Sequence, residues 1–271
     1  MTEPMPVTYL FVPANRPDRF EKAIAAGADR IILDLEDAVP LDGKDIARAA
    51  IIGAELDWSR VLVRVNPSST TFFEDDLRTV AATQAAGIMI AKAETAADIN
   101  MVSQTIGRPI EITPLIETAK GLNAVDELLC MAGVSRVAFG HLCMAVDLGC
   151  STDWDGLVLA RQTLVWRSRL HGKAAPIEGV TPNIDNDQVF SDALLAKKFG
   201  FGAKLLIHPK QIAPTLRGFT PSDQEVTWAH KVLAALEASN GAAVAVDGKM
   251  VDKPVEDSAR RILMVVQDRE L

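Results

Sequence analysis

Residues 30–66 read RIILDLEDAVPLDGKDIARAAIIGAELDWSRVLVRVN. Two short runs rich in branched apolar residues, Arg30–Leu35 and Val61–Val65, flank a segment of helical period, Lys44–Leu56. That is the pattern of a β–α–β unit, in which a crossover helix joins two parallel strands. Both runs stop at charge: Asp34, Glu36 and Asp37 gather after the first, and Arg64 with Asn66 closes the second. An arginine among valines on a parallel strand needs an anionic partner. Glu36 is one candidate and a substrate carboxylate is another.

The same rhythm repeats on both sides of this stretch. Further strand-like runs are Thr8–Val12, Gly87–Ala91, Glu111–Ile116, Arg136–Gly140, Ala174–Glu178 and Lys204–His208. Amphipathic segments between them include Pro17–Ala26, Phe73–Ala86, Ala119–Ala132 and Asn186–Phe199. Eight strand–helix units over about 210 residues predict an α/β chain folded as a (β/α)₈ TIM barrel. The rival, a doubly wound open sheet, usually carries a glycine-rich phosphate turn after its first strand. Here that turn is PANRPDR, without glycine. The barrel is expected to span residues 1–217. Residues 218–271 read as a C-terminal helical and lid extension: a helix Pro221–Asn240, a small-residue stretch Gly241–Pro254 turning at Asp247–Gly248, and a last helix Val255–Gln267. The small-residue stretch offers little reason to pack alone. No linker marks a second domain, so the extension belongs to the same domain or packs on a neighbouring subunit.

Composition narrows the function. With 271 residues, 48% hydrophobic and 24% charged, the chain buries a large core without staples. Its net charge of −8 and 5% aromatic content argue against a nucleic-acid partner, which wants a basic face or stacking platforms. Glu3, Pro4 and Pro6 stand where a signal peptide would be basic, and no long uncharged apolar stretch predicts a membrane span. Cys130, Cys143 and Cys150 are odd in number and lack CxxC spacing, which speaks against a disulfide framework or a zinc knuckle. A cytoplasmic protein is expected.

In a barrel, catalytic groups sit at the carboxyl ends of the strands. Those positions hold Asn15 and Arg16, then Asp34, Glu36 and Asp37, then Arg64 and Asn66, Lys92 and Glu94, Glu117, Glu178 and His208, whereas the opposite ends look bland. Three carboxylates at one strand end favour a metal or a general acid/base over mere helix capping. Glu117, ending an apolar strand at the start of a helix, reads as a cap or a hard-cation ligand. His208 reads as a packed structural histidine. His141, His171 and His230 show no partner spacing, and nothing spells a Ser-His-Asp arrangement or HExxH.

Taken together, LFVPANRPDRF, ILDLEDAV with Lys44 and Arg48 downstream, VRVN, AKAE, PLIETAKG, FGFGAKLLIHPKQI, FTPS and DGKMVDKPV resemble the citrate lyase beta-chain-like proteins of the HpcH/HpaI aldolase superfamily, which include malyl-CoA and citramalyl-CoA lyases. The resemblance runs in order from about Tyr9 to the C-terminus. It implies carbon–carbon bond cleavage next to a thioester or carboxylate with Mg²⁺ as Lewis acid. By resemblance Glu117 is the metal Glu and Arg64 the anion-binding Arg, with Arg16 and Lys92 beside the substrate. Glu36 and Asp37 would hold metal waters or orient Arg64. The tail resembles a lid that covers a neighbouring subunit's site, with Asp252 as the acid/base, which implies a homotrimer or hexamer. One departure stands out. The strand-6 motif reads GHLCMAVDLG, with Cys143 where relatives carry the metal-binding Asp and Asp147 one helical turn on. A neutral thiol is a poor Mg²⁺ ligand. The expected function is a carbon–carbon lyase for a small 3-hydroxy acid or its CoA thioester. The alternatives are a free-acid aldolase, or a non-catalytic metabolite-binding paralogue with a degenerate metal site.

Overall fold

Eight parallel strands close on themselves in chain order: β1 (Thr8–Pro13), β2 (Arg30–Asp34), β3 (Val61–Val65), β4 (Gly87–Ile90), β5 (Glu111–Ile116), β6 (Ala138–Phe139), β7 (Ile177–Glu178) and β8 (Ala203–Leu206). β8 returns to pair with β1, Leu206 opposite Leu10. The computed structural model describes residues 5–239 and 243–267, so Glu3 and Pro4 of the N-terminal reading lie outside it.

Helices α1 (Phe20–Ala25), α2 (Lys44–Ile52), α3 (Phe73–Ala81) and α4 (Ala96–Ile106) follow the first four strands. Each turns a short apolar face inward; on α2 it is Ala47 and Ile51, four residues apart. Thr95 and Asp98 form a capping box that starts α4, and Gly107, at φ 66°, ends it. The helix expected over Ala119–Ala132 is two, α5 (Ala119–Asn123) and α6 (Val125–Cys130), broken at Ala124. α5 is pinned to the barrel: a Cβ on its Gly121 would come within 2.6 Å of the Ala93 carbonyl oxygen. Then follow α7 (His141–Leu148), α8 (Val158–Leu170), α9 (Asn186–Phe199) and α10 (Ile212–Phe219).

The barrel interior is filled by one residue or more from every strand, among them Tyr9, Ile32, Leu62, Met89, Leu115, Ile177 and Leu205. Each large apolar side chain so buried contributes about 1.5–3 kcal/mol over an exposed one. β6 and β7 are shorter than the runs Arg136–Gly140 and Ala174–Glu178 suggested. Pro176 has no N–H to give the ladder, and Arg136 spends its guanidinium on the Ala175 and Pro6 carbonyls instead. The amino ends of the strands are not bland either. Arg136 is buried there, and Arg30 lies 3.9 Å from Glu111.

Contacts divide the chain into two compact units, one spanning Pro6–Leu216 and one beginning at Arg217. In the second, α11 (Asp223–Ala238) opens on a Ser222–Glu225 capping box. Strands β9 (Val244–Val246) and β10 (Lys249–Val251) form an antiparallel hairpin, and α12 (Lys253–Gln267) follows. The hairpin turns at Asp247 and Gly248, both at positive φ, as a two-residue turn between twisted strands requires. The stretch Gly241–Pro254 is therefore not inert: Val246 and Val251 bury against Ala229, Val232, Leu236 and Ala259. Asn240, the last residue of the expected helix, and Gly241, the first of that stretch, lie outside the described residues.

Candidate active site at the carboxyl end of the barrel

A cavity of about 400 Å³ opens at the carboxyl end of the barrel. Phe11, Leu115, Phe139, Val180 and Leu205 give it apolar walls, and Asp34, Asp37, Arg64, Glu117, His141 and Cys143 give it chemistry. Its charged groups form a continuous line. Asp34, the last residue of β2, takes Arg64 Nε at 2.7 Å and Nη2 at 2.6 Å, a bidentate pair. Asp34 also accepts the Glu36 and Ala38 N–H groups, which wraps the loop around it. Arg64 Nη1 lies 2.9 Å from Glu36 Oε2, and Lys92 Nζ lies 2.8 Å from Glu36 Oε1. The Lys92 N–H donates to Glu117 Oε1 at 2.9 Å.

Arg64 thus spends two of its five N–H groups on hydrogen bonds to Asp34 and meets Glu36 as an ion pair. Its plane stacks 4.6 Å over the Phe11 ring. Burial works against its charge, but Asp34 and then Glu36 hold it charged well above its ordinary range. Glu36 Oε2, despite the ion pair, is too obliquely placed to accept a hydrogen bond and is buried without a hydrogen-bond partner among the described residues. Lys92 sits at φ 46°, a left-handed conformation that costs a non-glycine residue about 1 kcal/mol or more and is often found at working sites. Beneath the line, Lys44 Nζ donates to the Leu35 and Glu36 carbonyls and to Asn66 Oδ1. Asn66 in turn donates to Asp76, which Arg48 pairs at 2.7 Å.

The other side of the mouth, from β5 and β6, is built differently. Glu117 is buried and pressed against Gly140, where a Cβ would lie 2.4 Å from Oε2. Burial, and then the neighbouring charge of Glu36, pushes its carboxyl up to about 7, with Arg64 and Lys92 offsetting only part. The Cys143 thiol donates to Glu117. Burial, then the Glu117 charge, pushes that thiol up to about 12, so it stays protonated. His141 opens α7, two residues past β6. Burial, then the cations Lys204 and Arg161, push it down to about 4, so its imidazole is neutral at physiological pH. Arg161 in α8 pairs with Glu178 of β7 at 3.0 and 3.2 Å and lies 4.0 Å over Trp154.

A carboxylate-braced arginine, a lysine and a buried glutamate thus meet at one barrel mouth. A family model described as HpcH/HpaI aldolase/citrate lyase matches residues 8–209. The chain belongs to that family. A citrate lyase subunit beta-like protein of Mycobacterium tuberculosis is 34% identical over 263 residues, covering 94% of this chain and 93% of the relative. An L-malyl-CoA/beta-methylmalyl-CoA lyase of Cereibacter sphaeroides is 34% identical over 283 residues, covering 90% and 89%. Among solved structures, CitE of Mycobacterium tuberculosis in complex with magnesium, acetoacetate and coenzyme A aligns at TM-score 0.88 and 32% identity, over 97% of this chain and 98% of that one. The relatives are carbon–carbon lyases, and solved structures of the Mycobacterium tuberculosis protein contain magnesium.

The HpcH/HpaI barrel brings Glu36, Arg64, Lys92, Glu117 and Cys143 together, as their positions after successive strands led one to expect. It separates others. Asp37 is exposed on the cavity rim, and the brace on Arg64 comes from Asp34 instead. Arg16 is exposed and paired with Asp18 at 2.9 Å, and it does not line the cavity. Asp147, expected as a doubtful metal ligand, is exposed; its carboxylate accepts the Ala119 N–H at 2.7 Å at the start of α5, and it lines a recess with Lys92, Glu117 and Cys143. Asp252 is exposed ahead of α12 in the C-terminal unit, where its carbonyl accepts the Val255 and Glu256 N–H groups. His208 is structural, its Nδ1 accepting the Lys210 N–H. His141 was missed by a search for partner spacing. Its place at the start of α7, two residues past β6, was the available signal.

Proposed function

We propose that this protein cleaves, or forms, the C2–C3 bond of a small 3-hydroxy acid carried as its coenzyme A thioester. The observation that carries the proposal is the line Asp34–Arg64–Glu36–Lys92–Glu117, buried except at Lys92, beside an open cavity. The fitting substrate class is acyl-CoA, as in the named malyl-CoA lyase relative and the coenzyme A complex of CitE. In the cleavage direction the Asp252 carboxylate, as acid/base, takes the 3-hydroxyl proton, the C2–C3 bond breaks, and a 2-oxo acid leaves behind the enolate of the acyl thioester. A proton then returns to that enolate carbon.

Arg64 binds the acid carboxylate with N–H groups that Asp34 does not take. Its charge, held by Asp34 and Glu36, also opposes the negative charge that develops in the transition state. Lys92 adds a second cation. The apolar walls exclude water, which keeps both cations effective. Asp252, delivered by the tail of an adjacent subunit, is the proton donor in this reading, which includes a homotrimer or hexamer in the cytoplasm.

The residues present fit magnesium as a site with one protein carboxylate. Glu117 is a buried carboxyl crowded by Glu36, the kind of charge a cation would relieve, and Glu36 Oε2 is left without a hydrogen bond among the described residues. Cys143 contributes no charge, and no group of three or more His, Cys, Asp or Glu fit to hold a metal forms among the described residues. Glu117 would hold the ion, and the ion, when bound, supplies Lewis-acid stabilisation of the developing enolate.

The test is turnover of malyl-, citramalyl- and citryl-CoA by the purified protein with magnesium, followed by release of the 2-oxo acid. Cleavage of any of them that Arg64→Ala abolishes supports the proposal. Activity on the free acids alone turns it into a free-acid aldolase. Cys143 favours a second reading, metabolite binding without chemistry; a melting temperature raised by acyl-CoA with no product formed would establish it.

A further inference from the structure

On the outside of the barrel, far along the chain from the line above, α6 and α8 assemble a second reactive group. Asp126 and Cys130 lie one helical turn apart on α6, and His171 caps the end of α8. Cys130 Sγ is 3.5 Å from His171 Nδ1, and His171 Nε2 is 2.8 Å from Asp126 Oδ1. Arg167 Nη1 holds the other Asp126 oxygen at 3.1 Å. Both helices end here and lead into β6 and β7, so the group lies at the amino end of the barrel, opposite the candidate active site.

The order thiol, imidazole, carboxylate is that of nucleophile, base and orienting group. Asp126 accepts a hydrogen bond from Nε2–H, which favours the tautomer whose Nδ1 lone pair faces the thiol. Cys130 is exposed, so a small molecule can reach its sulfur. Cys150 is also exposed, but no imidazole is paired with it among the described residues. Cys143 is half-buried and donates to Glu117.

We propose that Cys130 is a thiolation site for small disulfides of the glutathione class. His171 Nδ1 accepts the thiol proton, and the Cys130 sulfur attacks one sulfur of the disulfide. The S–S bond breaks, a mixed disulfide forms, and the departing thiolate takes the proton from the imidazolium. The incoming disulfide is the oxidant, and excess thiol reverses the exchange.

The experiment treats the intact protein with oxidised glutathione near neutral pH and follows each cysteine by peptide mass spectrometry. Cys130 is expected to react about tenfold faster than Cys150, and His171→Ala to remove that advantage. A smaller loss is expected for Asp126→Asn, which keeps the size of the orienting group. A control on the unsubstituted chain needs no variant to fold: in denaturant the ratio of the two rates falls to about one. Equal rates in the native protein, or an advantage that survives His171→Ala, overturn the proposal.

Discussion

The two sides of the barrel mouth differ in how they handle charge. On the β2–β3–β4 side each ionised group has an opposite partner: Asp34 and Glu36 brace Arg64, and Lys92 closes on Glu36. On the β5–β6 side a single carboxyl, Glu117, faces a neutral thiol and a neutral imidazole. Three buried carboxyls against two cations leave one negative charge when Glu117 is ionised, and none when it is protonated. An aspartate at position 143 would make the surplus two, matched to a divalent ion. The anion-gripping side of such a site can therefore persist intact while the cation-holding side loses half its charge.

The largest expected effect is on the first side. Arg64→Ala removes the anion grip and should lower turnover by about a thousandfold or more. It also strands the buried Asp34, while Glu36 keeps Lys92, and should cost about 3–5 kcal/mol of stability in denaturant melts. If activity survives, the β2–β3–β4 side is scaffolding only.

On the second side, Glu117→Gln should also abolish turnover but stabilise the metal-free fold. The Glu117 carboxyl titrates near 7 when folded and near its ordinary 4.5 when unfolded. The unfolded chain therefore gives up its proton first, and the native protein loses stability as pH rises from about 4.5 through 7. Above that range the loss is at most about 3 kcal/mol. Melts in chelator at pH 5 and pH 8 check this: the gain from Glu117→Gln should be large at pH 8 and small at pH 5. An equal gain at both pH values would mean that Glu117 is not crowded as described.

Lys92→Met should raise KM about tenfold with a lesser change in kcat, since it removes one exposed-edge cation while Arg64 remains. The smallest effect belongs to Asp147→Asn. It weakens the start of α5 by about 1 kcal/mol and should leave turnover within about threefold. A collapse of magnesium binding in that variant would return Asp147 to the metal site.

Much of this was readable from local pattern. The β-strand runs, their charged carboxyl ends and the helix Asn186–Phe199 depend on neighbours in sequence, and the barrel follows from repeating one unit. The site residues that follow strands, such as Glu117 and Lys92, were legible for the same reason. What escaped depends on distance in the chain. Asp34 was only one carboxylate of three until its bidentate contact with Arg64 singled it out. Arg16 had suitable chemistry, but its partner Asp18 holds it outside the cavity lining. The Cys130–His171 pair spans 41 positions, so no spacing rule could find it. The tail hairpin was hidden because its small residues pack against two helices rather than on one another.

The most direct measurement is calorimetric titration of magnesium into the substrate-free protein and into Cys143→Asp. A site with one protein carboxylate predicts weak binding, with Kd on the order of millimolar, and a gain of about tenfold or more on restoring the aspartate. Equal affinity in the two proteins would contradict the account, because position 143 would then have no part in holding the ion.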